Sequence, residues 1–157
     1  MAALIEGTKA PDFTLEGTTD KPFALSEALK ENRFVILAFF PLAFSSVCSD
    51  EMSLYQEVRD EFGRLGAMTV GLSVDSAYVQ KEFARKNNLQ FPLLADFNPK
   101  GAVAQKYGVY RADDGTAERA LFIVDSSGII RYNYVSEVSV NPGADRLLEK
   151  LEQLQSK

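Results

Sequence analysis

The sequence predicts an α/β fold in which a central mixed β-sheet is flanked by helices. Three observations predict it. The run Phe34-Val35-Ile36-Leu37-Ala38-Phe39 is apolar at every position, as a strand covered on both faces must be. Strand-like and helix-like segments alternate after it, which is the pattern of βαβ crossovers. A hairpin signal and one amphipathic helix close the chain, adding antiparallel strands to a sheet begun in parallel. The sequence contains no repeat, low-complexity tract or linker, so residues 1–157 are expected to form one domain.

The elements are justified in order. The apolar run Phe34 to Phe40 ends at Pro41, which has no N–H for a ladder. A helix is predicted over Ser46 to Leu65. There Val47, Glu51, Leu54, Tyr55, Val58 and Phe62 fall on one face, all apolar but Glu51. Gly66 ends it. Met68 to Val74 is the next strand, and Asp75 or Ser76 can cap a helix over Ala77 to Asn87. Phe91-Pro92-Leu93-Leu94 is short and holds a proline, which suits a strand end or an edge. Ala102 to Tyr107 reads as a short helix stopped by Gly108. Leu121 to Asp125 and Ile129 to Tyr134, joined by Ser126-Ser127-Gly128, form the hairpin. Asn141-Pro142-Gly143 breaks the chain before a helix over Ala144 to Gln155, with Leu147, Leu148, Leu151 and Leu154 on one face.

Composition excludes several chemistries. The net charge is −5 and the basic residues are scattered, so no nucleic-acid partner is expected. The longest apolar run, Phe34 to Phe44, is too short to span a bilayer, and no membrane association is expected. The first residues show neither a basic start nor a long apolar stretch, and a single cysteine makes no intrachain disulfide. A reducing, cytoplasmic location is the expectation. The chain has no histidine, which removes Ser-His-Asp, Cys-His and histidine–zinc chemistry. Glycine-rich phosphate cradles are missing too, and C-x-x-C fails because Glu51 stands three residues after Cys48. No cofactor or metal is expected.

What remains is Cys48, in the first turn of the helix predicted after the central strand. A helix start carries unpaired N–H groups and partial positive charge, both of which favour a thiolate over a thiol. Ser45 stands about one helical turn before Cys48, so its hydroxyl can face the sulfur or hold a bound oxygen. A free cysteine in an intracellular chain is commonly just a small buried apolar residue. Its neighbours argue otherwise. Pro41-x-x-x-Ser45-x-x-Cys48 resembles the P-x-x-x-[TS]-x-x-C signature of peroxiredoxins, and the flank Phe39 to Phe44 is most similar to their one-cysteine AhpE branch. Gly7-x-x-Ala10-Pro11-Asp12-Phe13-x-Leu15, Phe91-Pro92-Leu93-Leu94-x-Asp96 and Arg119-x-x-Phe122-Ile123-Val124-Asp125-x-x-Gly128-Ile129-Ile130 resemble the opening, middle strand and arginine-bearing hairpin of the same family, in matching order.

The resemblance implies a thioredoxin-like fold and thiol peroxidase activity. It implies an active site of Pro41, Ser45, Cys48 and Arg119. Without the pattern Arg119 would read as a solvated residue at a strand start; Arg131, outside it, reads as exposed. A guanidinium suits the task because it stays charged and offers a fork of donors. Glu51 is either a solvated first-turn acid or a polar contact to Arg119 or the reductant. Phe40 and Phe44, with Phe39, either line an apolar mouth for the substrate or pack the core. The oxidants expected are hydrogen peroxide, alkyl hydroperoxides and peroxynitrite. Many relatives carry a resolving cysteine where this chain has Ser53, so an external thiol is expected as reductant: thioredoxin, a glutaredoxin-like protein or a small thiol. Relatives also often pair near the active site, which makes a homodimer an expectation. The competing reading is a redox-responsive holdase or thiol-relay binding protein of the same fold.

Overall fold

The computed structural model describes residues 2–155. In chain order its elements are β1 (Thr14–Leu15), β2 (Phe23–Ala24), α1 (Leu25–Glu31), β3 (Phe34–Phe39), α2 (Ser46–Glu57), α3 (Arg59–Arg64), β4 (Ala67–Ser73), α4 (Ala77–Asn87), β5 (Leu93–Ala95), α5 (Ala102–Lys106), β6 (Tyr110–Arg111), β7 (Thr116–Ala117), β8 (Arg119–Asp125), β9 (Ile130–Ser136) and α6 (Asp145–Gln155). Five strands form the central sheet in the order β5-β4-β3-β8-β9. The β5, β4 and β3 strands run parallel, and β8 and β9 join antiparallel, giving the mixed sheet that the sequence predicts. No helix among the described residues is long and apolar enough to cross a membrane.

The alternation of side chains along β3 divides the core in two. Val35, Leu37 and Phe39 pack with Phe13, Tyr107 and Phe122 on the side of α1 and α5. Phe34, Ile36, Ala38 and Phe40 pack on the other side with α2, α4 and α6, through Tyr55, Phe83, Leu147 and Leu151. All six β3 residues are buried, which explains an apolar run with no alternation. Each large apolar side chain so buried contributes about 1.5–3 kcal/mol to the fold.

The structure departs from the sequence expectation in several places. The single helix expected over Ser46 to Leu65 is divided at Val58, whose φ of −98° and ψ of 11° leave the helical region. The bonds Val58 N–H to Leu54 O and Phe62 N–H to Val58 O bridge the division, so both pieces keep one buried face. Cys48 and Met52, absent from the face drawn from periodicity, are fully buried there, while Val47, Leu54 and Val58 are only partly covered. Residues 14–31 form β1, β2 and α1, which no sequence signal assigned. Tyr110–Arg111 and Thr116–Ala117 add a second small hairpin. Arg131, read as exposed, is about one third exposed and pairs with Asp125 at 3.1 Å.

Candidate active site

The approach to Cys48 is set by the end of β3. The Phe40 N–H donates to Leu72 O at 2.9 Å, so pairing with β4 continues one residue beyond the strand and stops at Pro41. Asp75, just past β4, fastens the loop that follows: its Oδ2 accepts the Ala43 N–H at 2.7 Å and the Ser73 hydroxyl at 2.6 Å. Phe44 is then held at φ +70°, a left-handed conformation that costs an aromatic residue on the order of 1–3 kcal/mol. Its ring, 45% exposed, lies 5.2 Å from that of Phe83, with Lys86 Nζ 5.9 Å from its centroid. Ser45 returns to extended backbone and caps α2. Its Oγ accepts the Cys48 N–H at 3.3 Å. The serine oxygen thus engages the backbone of Cys48, which leaves its own proton free to be donated. Cys48 is the third residue of α2 and is fully buried.

Sheet register brings Arg119 to the sulfur across 71 residues of chain. In the antiparallel ladder Phe39 pairs with Ala120, so Arg119 lies one step further, level with Phe40. The two-residue period then sends its side chain to the same face as Leu121 and Ile123, the face that α2 covers. Only 2% exposed, the guanidinium spends its donors locally. Its Nη2 lies 3.2 Å from Cys48 Sγ and 2.7 Å from Val138 O, its Nε donates to Val138 O at 2.9 Å, and its Nη1 donates to Glu51 Oε1 at 2.8 Å. Tyr55 Oη donates to the other Glu51 oxygen at 2.8 Å.

Four residues of one helix face and one strand therefore form a buried cluster carrying one guanidinium and one carboxyl. Burial pushes the Glu51 carboxyl above its ordinary range, against the opposing pull of Arg119 and Tyr55. Burial works against the Arg119 charge, but the bonds to Glu51 and Cys48 outweigh it and hold the guanidinium above its ordinary value. Tyr55 is raised by burial and by the adjoining Glu51 charge, so it remains a proton donor.

The expected site residues divide accordingly. Cys48 and Arg119 are in contact, Ser45 caps the cysteine's helix, and Pro41 ends the ladder that leads there. Glu51 is not a solvated first-turn acid: it is fully buried and paired with Arg119, which also removes it from direct contact with a reductant at the surface. Phe40 is fully buried against Phe83 and belongs to the core instead of a substrate mouth. Of the three residues expected on the substrate side, only Phe44 reaches the surface. Sequence reasoning passed over Tyr55, Asp75 and the Val138 carbonyl as parts of the site. Tyr55 was legible in principle, since it follows Cys48 by seven and Glu51 by four on one helix face. A backbone carbonyl leaves no mark in a sequence.

Known proteins carry the same arrangement of chain. The family model described as AhpC/TSA matches residues 7–133. Alkyl hydroperoxide reductase E of Mycobacterium tuberculosis is 39% identical over 126 residues, covering 80% of this chain and 82% of its own. The chloroplastic 2-Cys peroxiredoxin BAS1 of Hordeum vulgare is 34% identical over 161 residues, covering 95% of this chain and 74% of its own. The crystal structure of peroxidoxin BcpB from Mycobacterium tuberculosis superimposes with a TM-score of 0.87 at 30% identity, covering 96% of this chain and 98% of that one. With the family model spanning most of its length and a thioredoxin-like architecture shared over 96% of the chain, the chain belongs to the AhpC/TSA family and is a peroxiredoxin, a thiol-dependent peroxidase.

Proposed function

We propose that Cys48 is the peroxidatic residue, that it reduces hydrogen peroxide and alkyl hydroperoxides, with peroxynitrite a further oxidant, and that an external thiol completes the cycle. The observation that carries this reading is the 3.2 Å approach of Arg119 Nη2 to the Cys48 sulfur at the first turn of α2. A free thiol is only about a few per cent ionised at pH 7, and both the helix start and the guanidinium favour the ionised form. The thiolate attacks the outer oxygen of a hydroperoxide. An S–O bond forms, the O–O bond breaks, and the departing alkoxide takes up a proton to leave as alcohol or water. Negative charge moves from sulfur to the leaving oxygen in that step. Among the described residues, four of the five guanidinium N–H groups have acceptors, leaving one on Nη1 for that charge.

The product is a Cys48 sulfenic acid. With one cysteine in the chain, a thiol from outside must condense with it, releasing water and leaving a mixed disulfide that a second thiol reduces. Because Cys48 is fully buried, a protein thiol reaches it only after the first turn of α2 moves outward, whereas a small thiol needs less. A cytoplasmic location and a homodimer are consistent with this chemistry and belong to the proposal. A holdase or relay protein has no use for a buried guanidinium aimed at its thiol.

Replacing Cys48 by Ser tests the reading. The variant is expected to consume no peroxide with excess dithiol, while the parent protein, given one equivalent of peroxide, is labelled stoichiometrically by a dimedone-type probe. Peroxide consumption by Cys48→Ser at the parent rate would dismiss the assignment.

A further inference from the structure

We propose that Tyr55 is a positioning residue of this site: through Glu51 its hydroxyl fixes the orientation of the Arg119 guanidinium on Cys48, beside the segment between β9 and α6 that holds the same guanidinium. The inference rests on the peroxidase reading of Cys48 and names a residue that acts on it from two helical turns away.

Tyr55 is fully buried, with its ring 6.4 Å from that of Phe62. Phenylalanine would fill the same space. A hydroxyl added there is unfavourable unless it is bonded, so its bond to Glu51 accounts for its presence. It donates to Glu51 Oε2 at 2.8 Å, and Gly143 O lies 3.3 Å away. The Glu51 carboxyl is thereby held at both oxygens, Oε1 by Arg119 and Oε2 by Tyr55. A carboxyl held at one oxygen is free to rotate about its soft terminal torsion. Held at both, it fixes the plane of the guanidinium that bonds it.

The opposite side of that guanidinium is gripped by the same stretch of chain that Tyr55 touches. Val138 O accepts from Arg119 Nε and Nη2. Gly143 O faces Tyr55. Between them the backbone is folded on itself by Ser136 Oγ to Val140 O at 2.8 Å, Val140 N–H to Glu137 O at 3.0 Å and Gly143 N–H to Asn141 Oδ1 at 2.9 Å. One short segment thus accepts from the arginine directly and sets a second acceptor, Gly143 O, beside the tyrosine at its far end.

The hydroxyl has a single proton, and the shorter bond assigns it to Glu51. When Glu51 takes up a proton, its own O–H becomes the donor. The tyrosine proton then turns to Gly143 O, and the clamp on Arg119 loses its charge. The other titratable groups facing this pair are Cys48 on α2, Arg119 on β8 and Tyr132 on β9; before α6 the polar contact is the Gly143 carbonyl.

The test is Tyr55→Phe in the full chain, with the peroxide reaction and iodoacetamide alkylation of Cys48 followed in parallel across pH. Alkylation needs only the thiolate, whereas the peroxide step also needs an oriented guanidinium. Peroxide reduction is expected to slow about tenfold, as loss of one bond to a charged group implies. Alkylation of the fully ionised thiol should change by less than about twofold, since no bond to sulfur is lost. The acid limb of the peroxide profile should move to higher pH, because Glu51 loses a donor that favours its charged form. In a Glu51→Gln background, Tyr55→Phe should move that limb no further. Parent-like peroxide rates in Tyr55→Phe, or equal losses in both reactions, would overturn the inference and leave the peroxidase reading standing. A parent protein that alkylates but ignores peroxide would remove both.

Discussion

Arg119 shows how much one side chain does when four of its five donors are engaged. It neutralises a carboxyl, meets the sulfur, and is fixed at its root by a carbonyl, all in one plane. A lysine at this position keeps the charge but presents donors from one point, and cannot satisfy Glu51, Cys48 and Val138 together. Arg119→Lys is therefore expected to slow the peroxide reaction by about 10²–10³-fold, the usual effect of losing a fixed donor at a developing oxyanion. Arg119→Ala, which loses the cation as well, is expected to slow the same step further. Rapid-quench measurement of sulfenic acid formation checks both points. A lysine variant that keeps pace with the parent would show that charge alone is needed. Cys48 and its spacing to Pro41 and Ser45 were legible in the sequence because they sit within one loop and one helical turn. Glu51 was ambiguous for a physical reason: the same helical position suits an exposed acid and a buried one, and only the distant arginine decides between them.

At the scale of elements, the sequence reports best those that carry their own caps. The α4 helix spans Ala77–Asn87 as predicted, because Ser76 Oγ accepts the Val79 N–H and Asn88 takes the left-handed turn at its end. Both signals are local. For α1 there is no such mark: Ala24 offers no side-chain cap, and the Ser26 N–H is satisfied by Asp12, 14 residues earlier. The loop of residues 41–45 is likewise shaped from outside itself. Asp75 was legible only as a possible helix cap, yet its Oδ2 holds the Ala43 N–H and keeps Phe44 in its strained conformation. Asp75→Ala leaves those donors without their acceptor, at a cost of about 1–3 kcal/mol. Released, the loop is expected to let Phe44 relax, so peroxide reduction should fall while α2, capped by Ser45, stays formed. Urea denaturation and the peroxide rate, measured on the same variant, check both halves. A loop held by the packing of Phe44 on Phe83 alone would leave the rate unaffected.

Over the whole molecule, the site is a consequence of one antiparallel register: the Phe39–Ala120 pairing delivers a cation from the hairpin to the helix that follows the central strand. That register also seals Glu51 inside the core, which gives stability a particular dependence on pH. The ordinary value for Glu51 is 4.5, and burial raises it in the folded chain. Below the ordinary value both folded and unfolded chains hold the proton, and the stabilisation is fully present. As pH rises past 4.5 the unfolded chain releases its proton first, and the advantage is lost as pH passes through the folded-state value. Asp96, raised by burial from 3.8 despite bonds from the Val103 and Ala104 N–H groups, acts in the same sense. Comparison with Glu51→Gln isolates the first group, because Asp96 and the exposed acids are common to both proteins. Relative to that variant, the parent chain is expected to become more stable as pH is lowered from neutral towards 4.5, then level off. Urea midpoints at a series of pH values give the difference directly. The opposite slope would mean that Arg119 holds the carboxylate ionised more strongly than burial opposes it, so that the guanidinium meets a permanent anion on one side and sulfur on the other.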